Sequence, residues 1–218
     1  MVLNIQMLSN NPSTTFLQYL DNIKKISIEL TAYITDTIEV VSIKKCKELN
    51  TCEIVAGNIY FVGSGILRAY LPASDTTEET TTRIMTSGDF VFVSSTKEIN
   101  SELFQYIETV SDCIVIKISM EKRERMISEF PELNFHYRKI AQLYADEIAL
   151  KEYVLRQKTA TRRVELFRKH FGELEQLVPI KYLASLINVH RCTFTEIKNK
   201  HYRKSGGGGV TYLPNIAA

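Results

Sequence analysis

A chain of 218 residues, 44% apolar and 24% charged, has the composition of an ordinary globular protein with room for one large or two small domains. No run approaches 18 apolar residues, and residues 1–13 lack a basic segment leading into an apolar one, so neither a spanning helix nor a secretory signal is expected. Net charge is only +2, but residues 1–134 hold 12 Lys+Arg against 18 Asp+Glu (−6), while residues 135–218 hold 15 against 7 (+8). An acidic regulatory part and a basic, phosphate-binding part would divide this way.

Residues 14–35 read as helical, with Phe16, Leu17, Leu20, Ile23, Ile26, Leu30 and Ile34 as the buried face. From residue 38 short β-branched and aromatic runs take over, at 38–43, 52–56, 59–62, 66–71, 80–85, 90–93, 104–110 and 114–118. Turn signals such as Gly57-Asn58, Gly63-Ser64-Gly65 and Ser87-Gly88-Asp89 separate them, which predicts an antiparallel roll of the jelly-roll type. At Ser119-Met120-Glu121 the period returns to helix, first in a short piece that ends before Pro131. Residues 135–158 then contain no Gly or Pro. Ile140, Leu143, Tyr144, Ile148, Lys151, Val154 and Leu155 recur there at spacings of three and four, close to a heptad seam. A helix this long cannot bury its stripe alone: it could lie on the roll or pair with the same helix of a second copy, and pairing is favoured because it would give the molecule two-fold symmetry.

Thr159-Ala160-Thr161 opens the C-terminal part as a cap for a helix over 162–171, ended by Gly172, with Leu166 and Phe167 packing behind the two helices beyond it. In PIKYLASLINVHRCTFTEIKNK, residues 179–200, Ile180, Leu183, Ala184 and Ile187 fall at i, i+3, i+4 and i+7. A second helix starts at His190 or Arg191, with Phe194 and Ile197 inward. Asn188-Val189 leaves room only for a tight turn, and Asn tolerates the left-handed backbone it demands. Small Ala184 at the crossing and Val189 at the corner complete the pattern of a helix-turn-helix, although an ordinary αα-hairpin shares the apolar spacing. Of the outward residues His190, Arg191, Cys192, Thr195, Glu196 and Asn199, Arg191 suits a guanine, and Glu196 a cytosine amino group or the orientation of Arg191. Cys192 reads as a small neutral filler. Thr193, Lys198 and Lys200, with Arg203 and Lys204 trailing, suit phosphates. Beyond Ser205, four glycines lead to 210–213, either one strand of a wing or part of a tail.

Ile59-Tyr-Phe-Val62 with Gly65-Ile-Leu-Arg68-Ala-Tyr70 marks a central hairpin, and Val115-Ile-Lys-Ile118-Ser119 a last strand entering a hinge helix. Thr159-Ala160 with Arg163 opens the C-terminal domain, and Leu183-Ala184, Asn188-Val189, Phe194 and Ile197 make the reading motif. In that order and spacing the chain resembles the catabolite activator protein and fumarate-nitrate regulator superfamily of bacterial transcription factors. The resemblance implies an α+β chain: an antiparallel, cyclic-nucleotide-binding-like β-roll sensor over 1–134, a dimerisation helix over 135–158, and a winged helix-turn-helix over 159–218. It implies a cytoplasmic homodimer on double-stranded DNA, with RNA polymerase as a candidate partner.

Cyclic-nucleotide binders of this superfamily hold the phosphate with a Gly-Glu pair and an Arg-Ser pair in the loop after the strand that follows Gly88. Here that loop, 93–102, has neither pair, and Lys97 is its only cation, so cyclic AMP binding is not expected. Ser94, Ser95, Thr96, Asn100 and Ser101 would meet a different polar effector, or simply solvate a loop. A cysteine-bound iron–sulfur sensor needs an N-terminal cysteine group, and no Cys precedes Cys46. A haem sensor needs an axial His or Cys in the roll. His136, His170, His190 and His201 all lie outside it, and Cys46, Cys52 and Cys113 read as packed thiols.

No cofactor or metal is expected, because the four cysteines, with Cys192, show no metal-type spacing. Nor is an enzyme: the chain has no P-loop, nucleophile elbow, H-E-x-x-H or recognisable carboxylate pair. The leading expectation is a dimeric, sequence-specific DNA-binding regulator. Against it stands a ligand-binding or protein-interaction module descended from such regulators that has lost DNA binding, a reading the basic C-terminal half disfavours.

Overall fold

The computed structural model describes residues 11–49, 51, 54, 57–74, 78–92 and 104–205, of which 201–205 as helix backbone only. The chain divides into two compact units, Met1–Ala149 and Leu150–Ala218.

The first unit opens with α1 (Pro12–Ile23), where the Asn11 side chain accepts from the Ser13 N–H and Pro12 presets the first helical φ. The single helix expected over 14–35 is in fact two, because polar side chains offer the backbone other partners at the break. The Asp21 carboxylate accepts from the Ile26 N–H, and the Ser27 hydroxyl oxygen caps α2 (Ile28–Thr37) by accepting from Leu30 N–H. That hydroxyl also donates to Glu132 at 2.6 Å.

Among the described residues seven strands follow: β1 (Glu39–Ile43), β2 (Glu48–Leu49), β3 (Ile59–Ser64), β4 (Ile66–Leu71), β5 (Thr80–Thr86), β6 (Tyr106–Thr109) and β7 (Cys113–Ile118). They pair antiparallel in two sheets of order β1-β7-β3 and β2-β6-β4-β5. Two expectations are corrected. Ile54, inside the expected strand 52–56, is helical; residues 52, 53, 55 and 56 lie outside the described residues. Of the expected strand 90–93, residues 90–92 make a single bridge, from Phe90 to Phe61, flanked by a bond from Val91 N–H to the Tyr60 carbonyl; residue 93 lies outside the described residues. Two-residue β2 escaped sequence reading because it is too short to carry a period.

In the first sheet β3 and β7 pack on both faces, which is why both read as largely apolar runs, while β1 at the edge is mostly exposed. Tyr60, Val62, Cys113 and Val115 meet Leu67, Ala69, Met85 and Ile107 of the second sheet. Phe61, Ile116 and Ile118 point the other way, into a core with Phe16, Tyr19, Leu20, Leu30 and Ile34 of the helices. Phe16, Tyr19, Phe61 and Phe90 meet there with ring centroids 5.0–6.0 Å apart.

Two further helices, α3 (Met120–Glu129), capped by Ser119, and α4 (Leu133–Leu155), come next. At 23 residues α4 is about 35 Å long. Its start is tied down by buried His136, whose Nε2 lies 2.9 Å from the Lys24 carbonyl and 3.2 Å from that of Leu20. The apolar seam expected to meet a second copy is largely engaged within the chain. Ile140 packs on the helical core, Tyr144 lies 4.7 Å from the Phe92 ring, and Val154 is buried. Of the seven seam residues only Ile148, at 44%, is exposed. The open face of α4 is rotated from that seam and carries Phe135, Ala141, Ala145, Ile148, Ala149 and Tyr153.

The second unit contains α5 (Ala160–Phe171), α6 (Leu174–Leu177), α7 (Ile180–Leu186) and α8 (Arg191–Ser205). Thr159 caps α5 through the Arg162 N–H, as its sequence predicts. Val164, Phe167, Leu183, Ile187 and Phe194 are fully buried, with Phe167 and Phe194 edge to face at 5.8 Å. Among the described residues this unit has no strand, and residues 206–218, expected to form a wing or a tail, lie outside them.

Candidate nucleic-acid interface

The turn between α7 and α8 is built on one residue. Asn188 has φ 52°, the left-handed conformation its side chain makes tolerable, and the Val189 N–H closes the turn on the Ala184 carbonyl at 2.9 Å. Val189 is buried in the corner and Ala184 at the crossing. His190 acts as the cap of α8: its carbonyl accepts from the Phe194 N–H at 2.9 Å and its Nδ1 from the Cys192 N–H at 3.3 Å. Of the residues expected to read DNA, His190 is therefore committed in part to starting the helix.

Successive residues lie about 100° apart around a helix. With Phe194 and Ile197 inward, Cys192, Thr195, Glu196 and Asn199 fall on the opposite side. Arg191 and Lys198 share one flank, and Thr193 and Lys200 the other. Arg191, Cys192, Glu196, Asn199 and Lys200 are exposed; Thr193, Thr195 and Lys198 are half-buried. The Thr195 hydroxyl donates to the Arg191 carbonyl at 3.0 Å. Arg191 and Glu196 stand about 140° apart on the helix and form no ion pair among the described residues, so nothing there orients the guanidinium through Glu196.

Lys198 is turned inward. Its Nζ is 3.0 Å from Glu175 Oε2, and the other carboxylate oxygen lies 2.8 Å from Arg168 Nε as an ion pair. Sequence reading did not single out Glu175. A faint signal was present, since it is one of only 7 acidic residues in the basic half and sits in the apolar setting Leu174-Glu-Gln-Leu177.

In the first unit, the polar residues of the expected effector loop, Ser94, Ser95, Thr96, Asn100 and Ser101, lie outside the described residues. The arginines of β4 and β5, Arg68 and Arg83, are described, and both are engaged. Arg68 donates to Glu79 at 2.6 Å and to Glu108 and Thr81, beneath the Tyr70 ring. Arg83 grips both oxygens of Glu147 on α4, at 3.0 and 2.7 Å, donates to the Phe90 carbonyl at 2.9 Å, and lies 4.7 Å from the Tyr144 ring centre. Burial by itself would lower both guanidinium pKa values; the carboxylate partners outweigh it and raise them. Asp89, beside Arg83, is pushed above the usual carboxyl range by burial, against the pull of that cation.

Among the described residues no cluster of His, Cys, Asp or Glu could hold a metal ion, and no helix is long and apolar enough to cross a membrane. No family model matches the sequence, and no curated protein matches it either. Solved structures do resemble it. A mutant of CooA from Carboxydothermus hydrogenoformans is 20% identical, with 87% of this chain and 85% of that one covered at TM-score 0.61. A putative transcriptional regulator of the crp/fnr family from Eubacterium rectale is 19% identical, covering 89% and 91% at TM-score 0.56. FixK2 from Bradyrhizobium japonicum is 16% identical, covering 81% and 89% at TM-score 0.60.

Proposed function

From a chain with the fold of the CRP/FNR regulators, we propose a transcriptional regulator that binds duplex DNA as a homodimer and reads sequence with α8. One observation carries this reading. A helix-turn-helix, turned on left-handed Asn188, leaves Arg191, Cys192, Glu196, Asn199 and Lys200 exposed along one helix of the basic unit. Arg191, Cys192, Thr195 and Glu196 are the base-facing candidates. Thr193 and Lys200 serve phosphates, and His190 positions the start of the helix. Dimerisation runs through the open face of α4 around Ala141, Ala145, Ile148 and Ala149, giving two reading helices for two half-sites. RNA polymerase remains a candidate partner.

The roll acts on the DNA-binding unit through α4, and cyclic AMP is not its effector. Lys97 is the only cation in 93–102, and Arg68 and Arg83, the arginines of β4 and β5, already hold carboxylates. Selection of bound duplexes from a random pool, over a salt series, tests the function. A symmetric preferred site and affinity that falls steeply with salt are expected. No retention of any duplex would leave the protein-interaction module as the better description.

A further inference from the structure

Sequence alone casts Lys198 as a phosphate contact, yet its side chain is only 19% exposed and its ammonium is held by Glu175, itself 7% exposed. With Arg168 on the other oxygen, one carboxylate on α6 ties α5 to the middle of α8. Lys198 and Arg191 share a flank of α8, so the hold on Lys198 resists rotation of the helix about its own axis. That rotation matters. Side-chain tips stand about 5–6 Å from the axis, so a turn of about 20° moves them by roughly 2 Å, more than a base-edge hydrogen bond tolerates. The same carboxylate pairs with two cations of a basic unit and cancels one of their two charges. Their attraction for any phosphate is reduced, and contacts that distinguish bases carry a larger share of the affinity.

Resting on the proposal that α8 reads DNA, we infer that Glu175 is a positioning residue that sets the sequence specificity of α8 by keeping Lys198 from the phosphates. It touches no base. Its effect passes through the angle at which Cys192, Thr195, Glu196 and Asn199 meet the groove, and through the charge it cancels.

Full-length Glu175→Gln and Lys198→Gln variants are to be compared with the wild-type chain on the selected duplex and on a scrambled one, over a salt series. Thermal unfolding checks that each is folded. Glu175→Gln should lower the ratio of selected to scrambled affinity about tenfold and steepen the salt dependence by about one unit as Lys198 reaches a phosphate. Lys198→Gln should lower the same ratio while leaving scrambled-duplex affinity and salt slope unchanged. If Glu175→Gln does not fold, Lys198→Gln decides alone, since it leaves Glu175 with Arg168. Lys198→Gln that weakens both duplexes alike and reduces the slope by about one makes Lys198 a phosphate contact and overturns the inference. An unchanged ratio in the folded variants also overturns it, while the DNA reading stands. A wild-type chain that prefers no duplex removes both.

Discussion

Asn188, at φ 52°, lets α7 stop and α8 begin with only four residues between them, the last of which, His190, is the cap. A side chain without a polar group to offset the left-handed backbone should cost about 1–2 kcal/mol there, so Asn188→Ala is expected to destabilise by that amount and Asn188→Gly by much less. Urea unfolding of the two variants checks the order, and equal losses would mean that the Asn side chain has another role. Farther along, Arg191 is proposed to read a base and Lys200 to hold a phosphate. Arg191→Ala should cost about 1–3 kcal/mol per half-site on the selected duplex and relax preference at one base pair. Lys200→Ala should weaken selected and scrambled duplexes alike and reduce the salt slope by about one. Equal losses on both duplexes for Arg191→Ala would pass the reading role to Thr195 and Glu196. These residues were legible in the sequence because turn chemistry and helix phase are local. Glu175 was not, because its partners lie 7 and 23 positions away on other helices and no period links them.

At the scale of elements, the order of roll, long helix and helix-turn-helix followed from where the hydrophobic period switches. What periodicity could not resolve was which partner each apolar stripe meets. The stripe on α4 through Ile140, Tyr144 and Val154 is complete as a pattern, and it is taken up inside the chain. Nor could the pattern reveal the break between α1 and α2, since apolar spacing runs on through Ile26 while Asp21 and Ser27 redirect the backbone. The open face of α4, proposed as the dimer contact, makes a sharp prediction. Ile148→Glu places a charge at an exposed position, so each subunit should keep its stability to within about 0.5 kcal/mol. Buried in a dimer the same charge would be unpaired, so association should weaken strongly. Sedimentation of both forms over a concentration series decides it, and a wild-type chain that is monomeric throughout would end the dimer proposal.

For the molecule as a whole, the split of charge, −6 over residues 1–134 and +8 over 135–218, is the one global property that sequence displayed directly. The ligand that the roll would accept was not on display, because Arg83 and Glu147 stand 64 positions apart and only the fold joins them. Their pairing leads to an expectation for the intact protein. Titration calorimetry with cyclic AMP or cyclic GMP should give no micromolar binding, and heat at that affinity would mean that a phosphate can displace Glu147 from Arg83 or Glu108 from Arg68. The cysteines offer another view. Cys113 is buried between the two sheets and burial raises its thiol pKa, whereas Cys192 stands exposed on the outward side of α8. With Cys46 and Cys52 replaced by serine, a maleimide would therefore meet a slow thiol and a fast one. The slow rate becomes a clock for transient opening of the roll, and shielding of the fast one by added duplex becomes a footprint that the protein writes on itself.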